Sequence, residues 1–570
     1  MPENVVPSVA DEADATRRDR DDIARLLQAY QQAQASGISQ RDFAASEGIA
    51  PSSLQYWLAR QESIEAPAEA IAFFEGPVGV AWLHQMVIAA HVVMSQVGAC
   101  GVGLICQFLH LSGLSTFVGS SYGSQYALAV AMEEHLASYG ERETQRLGST
   151  MVKQEITACL DETFHPEVCL VGIEPASNFI LLETYSERRD AESWQSSLNA
   201  ALTGLPVTIR QVTSDAASGL LRYAQEMLGV PHSPDLFHIQ RELVRATVWP
   251  LAQQHRRAQK ALAQAESQLA RARAKRERYQ RHPRPGRPPS FEVTIERAEL
   301  ALANAQQALV TLEHHQAQAQ AAIQGLSQTY HPLVLDTGTW RPSAAIEAAL
   351  TAHFDTLEQI ITQAELPDYA QANLAKAKRQ LTPMVETLQR FDQHRLTQTL
   401  TLSQLGLATL EQDFQQHLLP AVYLNKVATQ TSDVHQRQAL QATVETLLSP
   451  LRHPEAAIQA LCCETRHHLE ALAMACVQTF QRSSSCVEGR NGQLALRHHS
   501  FHRLSPRKLQ ALTTIHNFFL TRPDGSTAAE RFFGQPPNPL FDSLLQALPL
   551  PPRPARNRPL ASKPYLLDIA

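Results

Sequence analysis

The chain has no Cys-x-x-Cys pair anywhere in its 570 residues. Its eight cysteines, Cys100, Cys106, Cys159, Cys169, Cys462, Cys463, Cys476 and Cys486, are scattered, most of them in apolar surroundings. That spacing argues against a zinc site and against a disulfide framework, and reads as reduced packing cysteine in a cytoplasmic protein. An excess of positive charge is also missing. The formal net charge is −7 and the pI about 6.4, so the surface as a whole is not that of a general nucleic-acid binder, although local basic patches remain open to it. The opening stretch, MPENVVPSVADEADATRRDRDD, has no apolar core of the kind a signal peptide needs. One apolar run, Val78 to Leu111, is long enough to span a bilayer, but His84, Gln85, His91 and Gln96 interrupt it and glycines cluster at Gly98, Gly101 and Gly103. Buried helices are the expectation there, with a membrane helix as the alternative.

What is present is a series of compositionally distinct segments. Residues 1–65 read as a helix-turn-helix region. DIARLLQAYQQAQ has apolar residues at helical spacing, Ser39 can cap the next helix with Asp42 three residues on, Gly48 permits a tight turn, and Pro51 and Ser52 open a polar helix. Ser52, Gln55, Tyr56 and Arg60 on that last helix are the candidate DNA contacts; a plain helical hairpin is the alternative. Residues 66–150 are expected to be helical, with a possible second helix-turn-helix around Ser112 and Gly113.

From 151 the periodicity changes. EITACLDETF, EVCLVGIEP and NFILLETYS are three β-type runs, followed by a helix, a strand PVTIRQVTSD, a helix and a short strand before DLFHIQREL. The order β-β-β-α-β-α-β-α predicts an α/β layer over 151–245 with β1 and β4 side by side. Residues 246–480 carry almost no strand signal. Two long helices joined by the proline-rich RHPRPGRPPS predict an antiparallel hairpin over 251–330 inside an all-helical region. The segment 481–520 would return to the α/β core, and 521–570, rich in Pro and Arg, is expected to be disordered or loosely docked.

Asp161 sits at the end of the first strand and Asp215 at the end of the fourth. On adjacent strands they would form an oxygen-rich site suited to Mg²⁺, because two carboxylates forced together repel unless a cation compensates. Glu488, set among small and polar residues in SSSCVEGRNG, could supply a third ligand. Each has a plainer alternative: Asp161 as a turn cap with Glu162 as the true ligand, Asp215 as a helix N-cap, Glu488 as a surface residue. His238 is placed beside the site or in the core, Asp235 is read as a turn residue, and Arg490 and Asn491 are placed within a helical turn of Glu488, to hold a phosphate or orient the glutamate.

Asp161 in DET, Asp215 in TSDAASGL, the DLFHIQREL stretch and CVEGRNG together resemble the DDE transposases of bacterial insertion sequences, in the RNase H-like or retroviral-integrase superfamily. The resemblance covers most of the chain to about residue 520, and the helical block resembles the insertion of hAT-type transposases. It implies a multidomain α/β plus α architecture: an RNase H-like core interrupted by an all-helical insertion and preceded by a helix-turn-helix. It also implies catalysis by Asp161, Asp215 and Glu488 with Mg²⁺ or Mn²⁺, double-stranded DNA (element ends and target) as partner, a homodimer or higher oligomer on DNA, and a bacterial, nucleoid-associated location. The spacings along the chain are 54 and 273 residues, the second lengthened by the insertion. Eleven Lys or Arg against two acids between Leu251 and Arg287 give a local net charge of +9, and Arg271, Lys275, Arg276, Arg278, Arg281, Arg284 and Arg287 are read as phosphate contacts. Arg497, Arg503 and Lys508 form a second basic cluster after Glu488. Trp340 is read as packing, with base stacking as the alternative. A catalytically silent DNA-binding protein and a structure-selective nuclease of the same fold are the competing functions.

Overall fold

A computed structural model describes residues 18–164, 167–404, 407–501 and 503–553. At its centre is one five-stranded mixed sheet: β1 (Gln154–Phe164), β2 (Val168–Glu174), β3 (Phe179–Ser186), β4 (Val207–Ser214) and β5 (His232–Pro234), in the order β3-β2-β1-β4-β5. The β1–β2 and β2–β3 pairs are antiparallel; β4 lies parallel to β1, and β5 parallel to β4. Central β1 is buried without a break from Ile156 to Asp161, as a strand covered on both faces must be.

Helices cover the two faces. On one, Val487 and Leu494 of the helix Ser485–Phe501 and Leu509 and Leu512 of the helix Pro506–Phe518 pack on Cys159, Val171, Ile173 and Ile180. On the other lie Met132 and Leu136 of the helix Tyr122–Thr150 and Trp194 and Leu198 of the helix Ala191–Leu202. The sheet and its second helical layer therefore come from segments hundreds of residues apart, brought together across an all-helical block with a core of its own. In that block the helices Trp249–Arg281 and Phe291–Thr329 form the expected antiparallel hairpin.

The first segment folds as three helices, Arg20–Ala35, Gln40–Ser46 and Pro51–Glu62, around Leu26, Leu27, Tyr30, Phe43 and Leu54. The Ser39 hydroxyl accepts from the Asp42 N–H, and Gly48 turns the chain at φ 63°. The Ser112–Gly113 turn differs from a helix-turn-helix connection. Residues 112–121 separate the helix Val102–Leu111 from the helix Tyr122–Thr150, and the latter buries its face in the sheet core. One helix, Pro77–Val97, is long and apolar enough to cross a membrane by length and composition, and it is half-buried within the fold.

Residues 521–553 correct the expectation of a loose tail. The helices Ala528–Phe533 and Leu540–Ala547 pack into the main core, Phe532 stacks on Phe179 with ring centroids 4.5 Å apart, and Leu544 is fully buried. Proline content masked a run of large apolar side chains whose burial outweighs it. The most proline- and arginine-rich part, 554–570, lies outside the described residues.

Candidate active site

The register of the two parallel strands positions the aspartates. Cys159 pairs with Thr213, so Asp161, two residues further along β1, and Asp215, the first residue beyond β4, come to neighbouring positions, near enough for the Asp215 charge to act on Asp161. Just beyond β4, Ala216 takes a left-handed φ of 63°, unusual for a residue with a Cβ. This turn leads the chain away immediately after Asp215, whose Oδ1 accepts from the Ala217 N–H at 2.9 Å. Asp161 is buried, and its Oδ1 accepts from the Glu162 N–H at 2.9 Å.

The antiparallel register adds a second row. Asp161 faces Val171, and Val171 faces Glu183, so one line of side chains crosses β1, β2 and β3 beneath the helix Ser485–Phe501. That helix reads the row with consecutive residues. Asn491 Nδ2 donates to Asp161 Oδ2 at 2.9 Å, while Arg490 makes two hydrogen bonds to Glu183, at 2.7 and 2.6 Å. Both partners of the Arg490–Glu183 pair are buried, and the Thr513 hydroxyl also donates to Glu183. Arg490 is therefore a structural clamp. Its guanidinium is turned to Glu183 and, through Nη1, to Gln493, rather than toward Glu488 as the sequence reading placed it.

The same helix carries Glu488 to the open end of the site, where Oε1 lies 3.4 Å from His238 Nε2. His238 Nδ1 is 2.9 Å from Asp235 Oδ2, and the Ser484 hydroxyl donates to that same carboxylate oxygen. Asp235 is more than the turn residue expected. It N-caps the helix Leu236–Leu243 through the Phe237 N–H, is fully buried, and fixes the imidazole three residues on. An N-cap aspartate followed three residues later by histidine was the sequence signal for this pair. Glu162 points elsewhere: it accepts from the Trp194 indole at 3.3 Å.

Electrostatics ties these groups into one site. Burial, reinforced by the charges of Glu488 and Asp215, pushes the Asp161 carboxyl up to about 7. Burial opposes the charged form of His238, yet the hydrogen bond and charge of Asp235, with Asp161 and Asp215 beyond, raise it above the usual imidazole range. Burial also works against the Asp235 anion, but hydrogen bonds from His238, Ser484 and the Phe237 N–H hold it below the ordinary carboxyl value. Among the described residues, Asp235, His238 and Glu488 offer ligand atoms all within 4.8 Å of one another; Asp161, Asp215 and Glu488 do not converge that closely.

The candidate DNA contacts divide. Ser52, Gln55 and Tyr56 are exposed on the third N-terminal helix, whereas Arg60 donates to the Tyr56 hydroxyl and the Arg553 carbonyl. On the hairpin, Arg271, Lys275, Arg278, Arg284 and Arg287 are exposed; Arg281 faces Glu277 at 3.7 Å, and Arg276 is half-buried. Arg497 and Lys508 correct the second basic cluster. Arg497 is buried and donates to the carbonyls of Ser95, Gln96, Val97 and Gly98, closing the end of the apolar helix. Lys508 is buried against Ser95, Gln96 and Glu133. Arg503 remains exposed and pairs with Glu167. Trp340 packs: its indole donates to the Gln415 carbonyl at 2.7 Å and Arg395 lies over its ring.

The profile of a family of unknown function (DUF6399) matches residues 414–560. That stretch holds Glu488, Arg490 and Asn491 but neither aspartate. No curated protein and no solved structure matches the chain significantly.

Proposed function

We propose that the protein is a DDE-type transposase, an RNase H-like polynucleotidyl transferase that cuts and joins DNA at the carboxylates Asp161, Asp215 and Glu488. The observation that carries this reading is the meeting of three chain segments at one end of the sheet. Parallel β1 and β4 bring Asp161 and Asp215 to neighbouring positions, and a helix arriving after the helical block supplies the glutamate. A strand order of β3-β2-β1-β4-β5 with this antiparallel and parallel pattern is the one an RNase H-like core requires.

The donor set fits a hard divalent cation, Mg²⁺ or Mn²⁺, held by Asp161, Asp215 and Glu488. Burial, with the charges of Glu488 and Asp215 added, drives the Asp161 carboxyl up to about 7, a cost that a bound cation would offset, and Asn491 Oδ1 is a buried acceptor without a partner at the same place. When bound, such an ion supplies Lewis-acid activation of a water or DNA 3′-hydroxyl and neutralises charge on the phosphodiester. The chain's own residues do the rest. Asn491 orients the Asp161 carboxylate. Asp235 holds His238 with Nε2 toward Glu488, so that the imidazole can carry a proton beside the glutamate. Ser484 fixes Asp235. The exposed arginines and lysine of the hairpin, and Ser52, Gln55 and Tyr56 of the N-terminal helices, would contact the DNA backbone and grooves.

The test is incubation of the purified chain with duplexes carrying the flanking ends of its own reading frame, in Mg²⁺ or Mn²⁺. Wild type is expected to release 3′-hydroxyl ends and join them to a second duplex, and Asp161→Asn, Asp215→Asn and Glu488→Gln each to lose both steps while still binding DNA. Cleavage without joining would favour a structure-selective nuclease, and binding without cleavage a silent DNA-binding protein.

A further inference from the structure

Two of the eight cysteines do not pack. Cys462 and Cys463 are exposed, whereas Cys100, Cys106 and Cys486 are half-buried and Cys159, Cys169 and Cys476 are buried. The pair opens the helix Cys463–Gln478, with Cys462 as its N-cap. The far side of that helix, through Leu469, Ala473, Cys476 and Val477, belongs to the core of the helical block, so its first turn stands at the block's surface. Each exposed sulfur has a polar partner of its own. Cys463 Sγ lies 3.4 Å from Nδ1 of His467, one helical turn further on and itself exposed. Cys462 Sγ lies 3.0 Å from the Thr465 hydroxyl. Hydrogen bonds from that hydroxyl and from the Thr465 N–H hold the Cys462 thiol below its ordinary range. The unpaired N–H groups of a first helical turn also favour a thiolate over a thiol. An exposed sulfur buries no surface, so packing does not account for the pair or for the imidazole set against it.

We propose that Cys462 and Cys463 form a site of reversible modification by small disulfides, the oxidised form of low-molecular-weight thiols, with His467 as the proton acceptor for Cys463. The Cys463 proton passes to His467 Nδ1. The thiolate then attacks one sulfur of the small disulfide, whose S–S bond breaks as the new S–S bond to Cys463 forms. The other half leaves as a thiolate and takes the proton from His467. One cysteine thiol is consumed and one small thiol released, so the disulfide itself is the only oxidant required. Cys462 exchanges in the same way, without the imidazole, from a sulfur that Thr465 already holds toward the thiolate. The modified residue carries its adduct on the surface of the helical block, where a reducing thiol can remove it by the reverse exchange. None of the carboxylates of the proposed metal site takes part, and whether that site acts on DNA has no bearing on this chemistry.

The experiment is incubation of the full chain with glutathione disulfide, quenching with iodoacetamide at timed intervals, and peptide mapping by mass spectrometry without reduction. The glutathione adduct is expected on the peptide carrying Cys462 and Cys463 before any other cysteine is modified. Dithiothreitol should remove it, and urea should abolish the preference for this pair. Cys462→Ser and Cys463→Ser each leave one thiol of the pair to be followed alone. Adding His467→Ala is expected to slow adduct formation several-fold in Cys462→Ser, where Cys463 reacts, and to leave the rate unchanged in Cys463→Ser, where Cys462 reacts. Since Cys462, Cys463 and His467 are all exposed, these variants should melt at the wild-type temperature. The proposal is overturned if Cys100, Cys106 or Cys486 takes up glutathione as fast as the pair. It is overturned equally if His467→Ala leaves the Cys463 rate unchanged or slows both thiols alike.

Discussion

At the scale of single residues, polar side chains divide into those committed to the fold and those held ready. Asp161 belongs to the second kind. Its carboxyl is raised from the usual carboxylate range to about 7, so the folded chain binds that proton more tightly than the unfolded chain does. The resulting stability is fully present below about pH 4 and is lost as pH rises toward 7. His238, also raised, acts in the same direction through the window above its ordinary value. In chelator, the urea midpoint is therefore expected to fall between pH 5 and pH 8, and Asp161→Asn to flatten much of that fall; a variant with an unchanged pH profile would contradict the assignment. Arg490 belongs to the first kind. Arg490→Ala strands Glu183 in the core, which costs about 3–5 kcal/mol. Equilibrium denaturation should show that loss, and replacing both partners by apolar residues should recover much of it. That Asp161, Asp215, Glu488, His238 and Asn491 come near one another was legible in the sequence from the strand order and an isolated acidic motif, although β1 runs on past Asp161 to Phe164. Arg490, Arg497 and Lys508 were not, because a basic side chain looks the same in sequence whether its partner is a phosphate or a buried acid or carbonyl hundreds of residues away.

At the scale of elements, the hairpin makes the clearest prediction. Arg271, Lys275 and Arg278 are exposed on a long helix, so replacing all three by Ala should leave the unfolding midpoint nearly unchanged. If they bind phosphates, duplex affinity should weaken, and the slope of log affinity against log salt should shrink by about 1 for each phosphate no longer neutralised. An unaltered salt slope would remove the hairpin from the DNA path. The hairpin and the first four strands were legible in the sequence because long helical runs and short runs rich in apolar and β-branched residues are set apart by a proline-rich tip or polar breaks, whereas β5 is only three residues long. The helices Ala528–Phe533 and Leu540–Ala547 were not, since each is short and lies among prolines. Their burial is a property of the core they complete. Leu544→Ala is expected to cost about 2–5 kcal/mol in thermal or urea unfolding, far more than a loosely attached tail would allow.

At the scale of the whole molecule, the chain builds one sheet, leaves it for a helical block with its own core, and returns to cover the sheet with the helix that carries Glu488. The proposed site exists only when both parts are assembled. The Arg490–Glu183 clamp and the Asn491–Asp161 hydrogen bond both lie along that one seam. Asp161, Asp215 and Glu488 are proposed to hold one divalent-cation site, and Mn²⁺ binding followed by electron paramagnetic resonance tests this. Wild type is expected to bind saturably and in competition with Mg²⁺, and each of Asp161→Asn, Asp215→Asn and Glu488→Gln to lose much of that affinity while remaining folded. Mn²⁺ binding that survives Asp161→Asn and Asp215→Asn but disappears with His238→Ala would place the ion on Asp235, His238 and Glu488 instead and contradict the triad.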